Sequence, residues 1–279
     1  MTAGLAATAD RVRAPFGARP ARVLDRERHG AYTVLRCADG AGPRPRAGQF
    51  YMLRSARRWG GGDGQRPYLP RAFSVLRAPP GTDELHFLVE DVGPGTARLC
   101  ELERGDELIL VGPLGNGFDA PPDGRRALLT GGGVGIAPLA IWQDELIAAG
   151  RPAPALLGFR DRAHAAGAAL LLDPEVATDD GSRGHHGLVT ELLIAELDAD
   201  AHAQVYACGP PPMLEAVRAL CAEREVGAQL ALESGMACGY GACFGCVVET
   251  VDGYIRLCID GPVVDGHRLR TALIPGAGH

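Results

Sequence analysis

Four of the eight cysteines fall within the last 42 residues, and their spacing constrains the chain more than any other feature. Cys238, Cys243 and Cys246 stand as C-x4-C-x2-C, and Cys258 follows after eleven intervening residues. This is the plant-type [2Fe–2S] spacing with a short final interval. Soft thiolate donors suit iron and its bridging sulfides. Gly239, Gly241 and Gly245 let the backbone close around such a group and turn N–H donors toward its sulfurs. Structural zinc is the competing use of four cysteines. It is usually built from two separated C-x2-C knuckles, and only one is present. Cys37, Cys100 and Cys221 read as buried apolar residues.

The surroundings favour metal over disulfides. Met1–Arg13 lacks the basic run and apolar run of a secretory signal, so a cytoplasmic setting is expected. No apolar run reaches the roughly 18 residues of a membrane span. All 28 basic residues are arginine. Schiff-base lysine chemistry and a Walker A phosphate loop are therefore excluded, since both need a lysine amine. Residues 1–71 hold 14 Arg against 5 acids, and residues 72–279 hold 14 Arg against 29. That asymmetry fits either a solvated surface or a basic docking face. The basic half lacks an interleaved aromatic motif and the overall charge is acidic, so nucleic acid is not an expected partner.

Three compositional blocks follow one another. Ala21–Val23, Tyr32–Cys37, Gln49–Leu53, Leu85–Glu90 and Glu107–Val111 are short strand candidates with Gly/Pro punctuation, which predicts a small antiparallel barrel or sandwich. Arg57–Pro70, with four glycines, reads as a long loop. After Pro121-Pro122-Asp123-Gly124 the pattern alternates. Ala127–Thr130, Pro154–Phe159 and Gln204–Ala207 read as strands, and Ala137–Ala149, Leu188–Leu197 and Pro211–Glu225 as helices, implying a parallel sheet. The cysteine tail starts near Leu232. The expected architecture is multidomain: an antiparallel β-barrel over 17–122, an α/β nucleotide domain over 123–232, and a small cluster module over 233–279.

Two sets of loops suggest cofactors. Arg71-Ala72-Phe73-Ser74 opens a strand with a guanidinium fork suited to a pyrophosphate. Asp91–Thr96 is a glycine-bearing turn into a short helix, offering N–H groups and a hydroxyl to phosphate, or else an ordinary helix cap at Thr96. Gly131–Gly135 follows a buried strand and opens a helix, where glycines permit close approach of a diphosphate. Its register is not G-x-G-x-x-G, and a purely structural glycine turn is the alternative. Cys208-Gly209-Pro210 ends another strand of the same domain.

In this order, together with Gly112–Phe118 and Glu233–Cys246, these motifs resemble a known family. The chain is similar to the iron–sulfur electron-transfer subunits of two-subunit, NAD-linked dihydroorotate dehydrogenases, within the ferredoxin–NADP reductase superfamily. The resemblance spans about residues 17–268. It implies FAD held by Arg71, Ala72, Phe73, Ser74, Leu88, Val89, Glu90, Gly95 and Thr96. It implies NAD(H) at Gly132, Gly133, Gly135, Cys208, Gly209 and Pro210, and a [2Fe–2S] cluster on Cys238, Cys243, Cys246 and Cys258. It implies an FMN-containing dihydroorotate dehydrogenase catalytic subunit as partner, in a heterotetramer with two copies of each chain. No general acid or base is assigned, because the cofactors carry the chemistry. The Arg57–Pro70 insertion and the amino-terminal arm depart from the pattern. A reductase subunit of another complex (hydrogenase, sulfide dehydrogenase or oxygenase) and a redox-sensing cluster protein are the competing readings. Asp161, after the second α/β strand, is suited to a ribose hydroxyl, whereas Arg160 and Arg162 are suited to a 2′-phosphate.

Overall fold

A computed structural model describes residues 17–60 and 67–274. The arm Met1–Arg13 and part of the Gly-rich insertion lie outside the described residues.

Six antiparallel strands close a barrel in the order β1-β2-β5-β4-β3-β6. They are β1 (Arg19–His29), β2 (Tyr32–Ala38), β3 (Phe50–Ser55), β4 (Arg71–Arg77), β5 (Glu84–Glu90) and β6 (Glu107–Leu114). Helix α1 (Pro94–Cys100) follows β5. Closure leaves the small sheet without an edge strand, although β4 and β5 pair over only part of their length. Its interior is filled by Leu35, Leu53, Val75, Phe87, Leu108 and Leu110, each at most 1% exposed.

The second sheet holds β7 (Arg126–Gly132), β8 (Ala155–Phe159), β9 (Glu175–Thr178), β10 (His185–His186), β11 (Ala203–Cys208) and β12 (Gly227–Ala231). Helices α2 (Ile136–Ala148), α3 (Arg162–Ala165), α4 (Val189–Ala199) and α5 (Pro211–Glu223) connect them. Every residue of β11 is buried, as expected of a central parallel strand covered on both faces. The sheet order is β10-β9-β8-β7-β11-β12, with the short strand Val263–Asp265 from the tail added beside β12. The chain thus runs outward from β7 to β10, returns to β11 on β7's other side, and leaves a switch point between β7 and β11.

The tail contributes β13 (Val247–Thr250), β14 (Gly253–Arg256), α6 (Leu257–Asp260) and β15 (Val263–Asp265). β13 and β14 form a hairpin, but β15 adds antiparallel to β12. The second sheet therefore runs across the expected boundary at 232/233. β12, just before that boundary, is the strand that receives the tail. Gly112–Phe118 explains itself here. A Cβ at Gly115 would lie 2.5 Å from the Gly261 carbonyl oxygen, so the barrel exit and the tail are in direct backbone contact.

Barrel and second sheet share one apolar core. Helix α2 is buried along most of its length because it lies between them. Its Trp142 packs beside Phe118 and edge-on to Tyr206, with ring centroids 5.9 and 5.4 Å away. The Tyr206 hydroxyl donates to the Asp119 carbonyl at 2.9 Å. At roughly 1.5–3 kcal/mol per buried large side chain, this junction resists domain separation.

A carboxylate anchors the far end of the tail. Glu215 on α5 accepts from Arg218 at 2.6 and 3.0 Å, from the Thr271 hydroxyl at 3.0 Å and from the Ala272 N–H at 2.6 Å. The Arg218 guanidinium, helped by Ala272 and Thr271, holds its pKa down to about 2, against an ordinary 4.5. Such a depressed group stabilises the fold fully above its unfolded value and loses that contribution as pH falls through the folded one. The carboxylate is partly solvated, so the effect is modest. Acid titration of stability between about pH 4.5 and 2 should show a component that Glu215→Gln removes; an unchanged profile would refute it.

Candidate functional site

The flavin-type residues meet where two barrel strands part. β4 pairs with β3 through Arg71↔Leu53, Ala72↔Met52, Phe73↔Tyr51 and Ser74↔Phe50. On its other side β4 pairs with β5 only at Val75↔Phe87 and Arg77↔His86 among the described residues. The edge of Leu88–Glu90 that faces Arg71–Ser74 therefore carries no ladder. Two of the segments expected to hold one ligand face each other across this slot. Leu88 and Val89 are 2% and 0% exposed, so only their backbone is available to a ligand.

Helix α1 closes the slot's end. The Arg71 guanidinium donates to the Leu69 carbonyl at 2.6 Å and lies against Gly95, where a Cβ would sit 3.0 Å from its Nε. Residues 24 apart in sequence thus form one corner: a guanidinium fork beside a helix start. Thr96 is not the helix cap; Gly93 is. The Thr96 hydroxyl accepts from the N–H groups of Val92 and Gly93, at 2.9 and 3.0 Å, and donates to the Gly93 carbonyl at 2.9 Å. These three bonds use its full capacity. It shapes the turn and has no bond left for a phosphate; the Thr96 backbone N–H is what it can offer.

Glu90 reaches further than the barrel. Its carboxylate accepts from Arg160 at 2.7 Å and lies 3.2 Å from His164 Nε2. His164 Nδ1 lies 2.7 Å from Asp161, whose carboxylate also caps α3 through the His164 N–H at 3.0 Å. Barrel strand and second sheet are joined by this chain of charges.

At the switch point, Cys208 lies opposite Gly131 across the β11–β7 ladder. Ligands of open α/β sheets bind in this position, beyond the carboxyl ends of the strands. The glycines divide by role. A Cβ on Gly135 would collide with the Cys208 carbonyl, and one on Gly132 would sit 2.7 Å from Met213 Sδ. These two let the loops pack on each other. Gly133 has φ +55° and open space beside it, so it is the glycine a diphosphate could approach. The Cys208 thiol is 3% exposed, and burial pushes its pKa well up, with Glu233 adding to the rise. Burial likewise raises the Glu233 carboxyl. Cys208 is thus held as a neutral thiol and is no nucleophile at neutral pH.

The tail thiols stand in two pairs. Cys246 Sγ and Cys258 Sγ are 3.2 Å apart and buried. The Cys243 side chain and the backbone N–H groups of Cys243, Tyr240 and Ala242 lie near Cys238 and favour its thiolate. Burial pushes the Cys238 thiol up, but these N–H groups outweigh it and bring the pKa to about 7. Burial and Cys246 raise the Cys258 thiol to about 12. Among the described residues, no three Cys, His, Asp or Glu side chains close on a single-ion site. Four thiols set in two pairs are a donor set that would hold a binuclear cluster. The donor set and the N–H groups aimed at sulfur fit [2Fe–2S] chemistry.

The loop is braced from both sides. Gly239 has φ +79°, and a Cβ there would lie 2.5 Å from Met52 Cγ. Arg256 donates to the Gly241 carbonyl at 2.9 Å and lies 5.2 Å from the Phe244 ring centre. Neither Met52 nor Arg256 carried a sequence motif; only the glycines of the loop signalled a close backbone approach.

Comparison with known proteins agrees with this layout. Residues 233–270 match the iron–sulfur cluster binding domain of dihydroorotate dehydrogenase B, and residues 162–219 match the oxidoreductase NAD-binding domain. The dihydroorotate dehydrogenase B (NAD(+)) electron transfer subunit of Clostridium perfringens is 35% identical over 79% of this chain and 85% of its own length. The chain belongs to the dihydroorotate dehydrogenase B electron transfer subunits. A second member of that family, from Caldanaerobacter subterraneus subsp. tengcongensis, is 36% identical over 87% of this chain and 94% of its own. The structure of an NADH-dependent reduced ferredoxin-NADP oxidoreductase, described for flavin-based electron bifurcation, superposes with a TM-score of 0.77 at 25% identity, covering 91% of both chains.

Within this electron transfer subunit family, all four predicted cluster cysteines fall inside the matched cluster-binding segment. Cys37 and Cys221 are buried as expected, while Cys100 is only partly covered. No described helix is long and apolar enough to cross a membrane.

Proposed function

We propose that this chain carries electrons between an FMN-bearing dihydroorotate dehydrogenase subunit and NAD. The carrying observation is the contact of Gly239 with Met52. Met52 lies opposite Ala72 in the β3–β4 ladder. The loop bearing Cys238 and Cys243 therefore rests on the strand paired with the flavin-slot motif, and the switch-point crevice opens on the same molecule. When bound, FAD would exchange electron pairs with nicotinamide, and the [2Fe–2S] cluster would pass them singly.

The chain's own residues position these groups. Arg71 and the start of α1 hold a pyrophosphate. The open edges of Arg71–Ser74 and Leu88–Glu90 line the flavin. Gly133 and the Cys208–Pro210 loop receive the nicotinamide nucleotide. Cys208, neutral and buried, gives that nucleotide an uncharged wall. Cys243 is exposed, which supports electron exit toward a partner at that side. Assembly as a heterotetramer with two copies of each chain, in the cytoplasm with the nicotinamide pool, is part of the same reading.

Chain prepared anaerobically should contain FAD, and iron and acid-labile sulfide in equal amounts, and should reduce an artificial acceptor with NADH. Zinc in place of iron and sulfide would overturn the reading.

A further inference from the structure

The rim beyond β8 bears directly on which nicotinamide nucleotide is accepted. β8 is the strand next to β7, and in dinucleotide folds an acid following the second strand reads the adenosine ribose. Asp161 holds that position, with its side chain 38% exposed. A second segment is stitched beside it. The Asp179 N–H donates to the Phe159 carbonyl at 3.0 Å, and the Asp180 N–H to the Arg160 carbonyl at 3.3 Å. Asp180 is exposed and close enough to Asp161 for the latter's charge to oppose its ionisation. Hydrogen bonds from Ser182 nevertheless keep Asp180 below its ordinary pKa, and those of His164 do the same for Asp161. Both are anions at neutral pH.

The cations nearby also have scaffold partners, although Arg160 Nε lies 3.8 Å and His164 Nδ1 2.7 Å from the Asp161 carboxylate. Arg160 binds Glu90 at 2.7 Å, Arg162 donates to the Ser182 carbonyl at 2.5 Å, and Arg183 donates to the Ala165 carbonyl at 2.6 Å. Each of these guanidinium groups is thus anchored to a scaffold acceptor by at least one bond.

We propose that Asp161 and Asp180 together read the adenosine ribose, accepting its free hydroxyls and repelling a 2′-phosphate, so that the chain selects NAD(H) over NADP(H). This rests on the electron-transfer reading above and names the residues that set its nucleotide specificity. Asn at either position keeps the hydrogen bond to the backbone and removes the charge.

The test measures kcat/KM with NADH and NADPH, using an artificial acceptor, on the FAD- and cluster-loaded chain. In Asp161→Asn/Asp180→Asn the NADPH-to-NADH ratio should rise about tenfold, a charge-assisted contact discounted for exposure. A ratio within about twofold of the unaltered chain would overturn the proposal. A second measurement needs no variant. ADP-ribose and its 2′-phosphate compete with NADH on the unaltered chain; the phosphorylated compound should bind more weakly, and the gap should narrow as salt rises. Equal competition at every ionic strength would also overturn it. Failure of the broader reading looks different: the unaltered chain would then reduce no acceptor with either nucleotide.

Discussion

Arg71→Ala should release FAD while leaving the cluster in place. The guanidinium sits at the meeting point of β4 and α1, held by the Leu69 carbonyl and pressed against Gly95. A fork so placed can give a diphosphate two charge-assisted bonds. Losing such a contact costs about 1.5–3 kcal/mol, or roughly 10- to 150-fold in affinity. The cysteine loop lies against Met52 and Leu114, and Arg71 holds none of the cluster thiols, so iron content should hold. Titrating FAD into flavin-free protein, with iron assayed in parallel, checks both halves. Unchanged FAD affinity would show that the arginine serves the Leu69 turn alone. Arg71→Lys should recover only part of the loss, because an ammonium keeps the charge without the fork.

The parts of this molecule that sequence makes plain are those whose signal is local. Thiol spacing, the glycine loops and the apolar runs of β7, β8 and β11 each carry their meaning within a few residues. Helices α2, α4 and α5 lie within two residues of the expected ends; α5 stops at Glu223 as the chain turns through positive φ at Glu225. What stayed hidden was long-range. β15 is three residues long, and nothing in Val263–Asp265 announces that it will pair with β12. The Thr96 hydroxyl looked free for a phosphate, but the turn at Val92–Gly93 consumes it. Asp180 became interesting only when backbone bonds to Phe159 and Arg160 brought its loop beside Asp161.

Cys243→Ser should cut electron delivery to the partner while sparing exchange between NADH and the flavin. The argument follows from position. Cys243 is the exposed member of the Cys238–Cys243 pair, and the Gly245 N–H approaches its sulfur at 3.4 Å. A serine oxygen is a harder donor and cannot replace a thiolate toward iron on equal terms. The flavin slot lies beyond Met52, and the nucleotide crevice lies at β7 and β11; neither uses Cys243. In a complex assembled with an FMN-bearing dihydroorotate dehydrogenase subunit, dihydroorotate-dependent NAD⁺ reduction should fall by more than about 100-fold, above the 10- to 100-fold cost of losing a mere outer-shell partner. NADH-dependent reduction of a two-electron acceptor should stay within about twofold, since those sites remain intact. The unaltered chain alone should not oxidise dihydroorotate. Removing hydrogens from a saturated pyrimidine ring needs a positioned base beside a flavin, and the motifs of this chain are already committed to the proposed FAD, nicotinamide and cluster sites. Two outcomes would therefore remove the division of labour: dihydroorotate oxidation by this chain unaided, or full activity of the Cys243→Ser complex with its cluster lost.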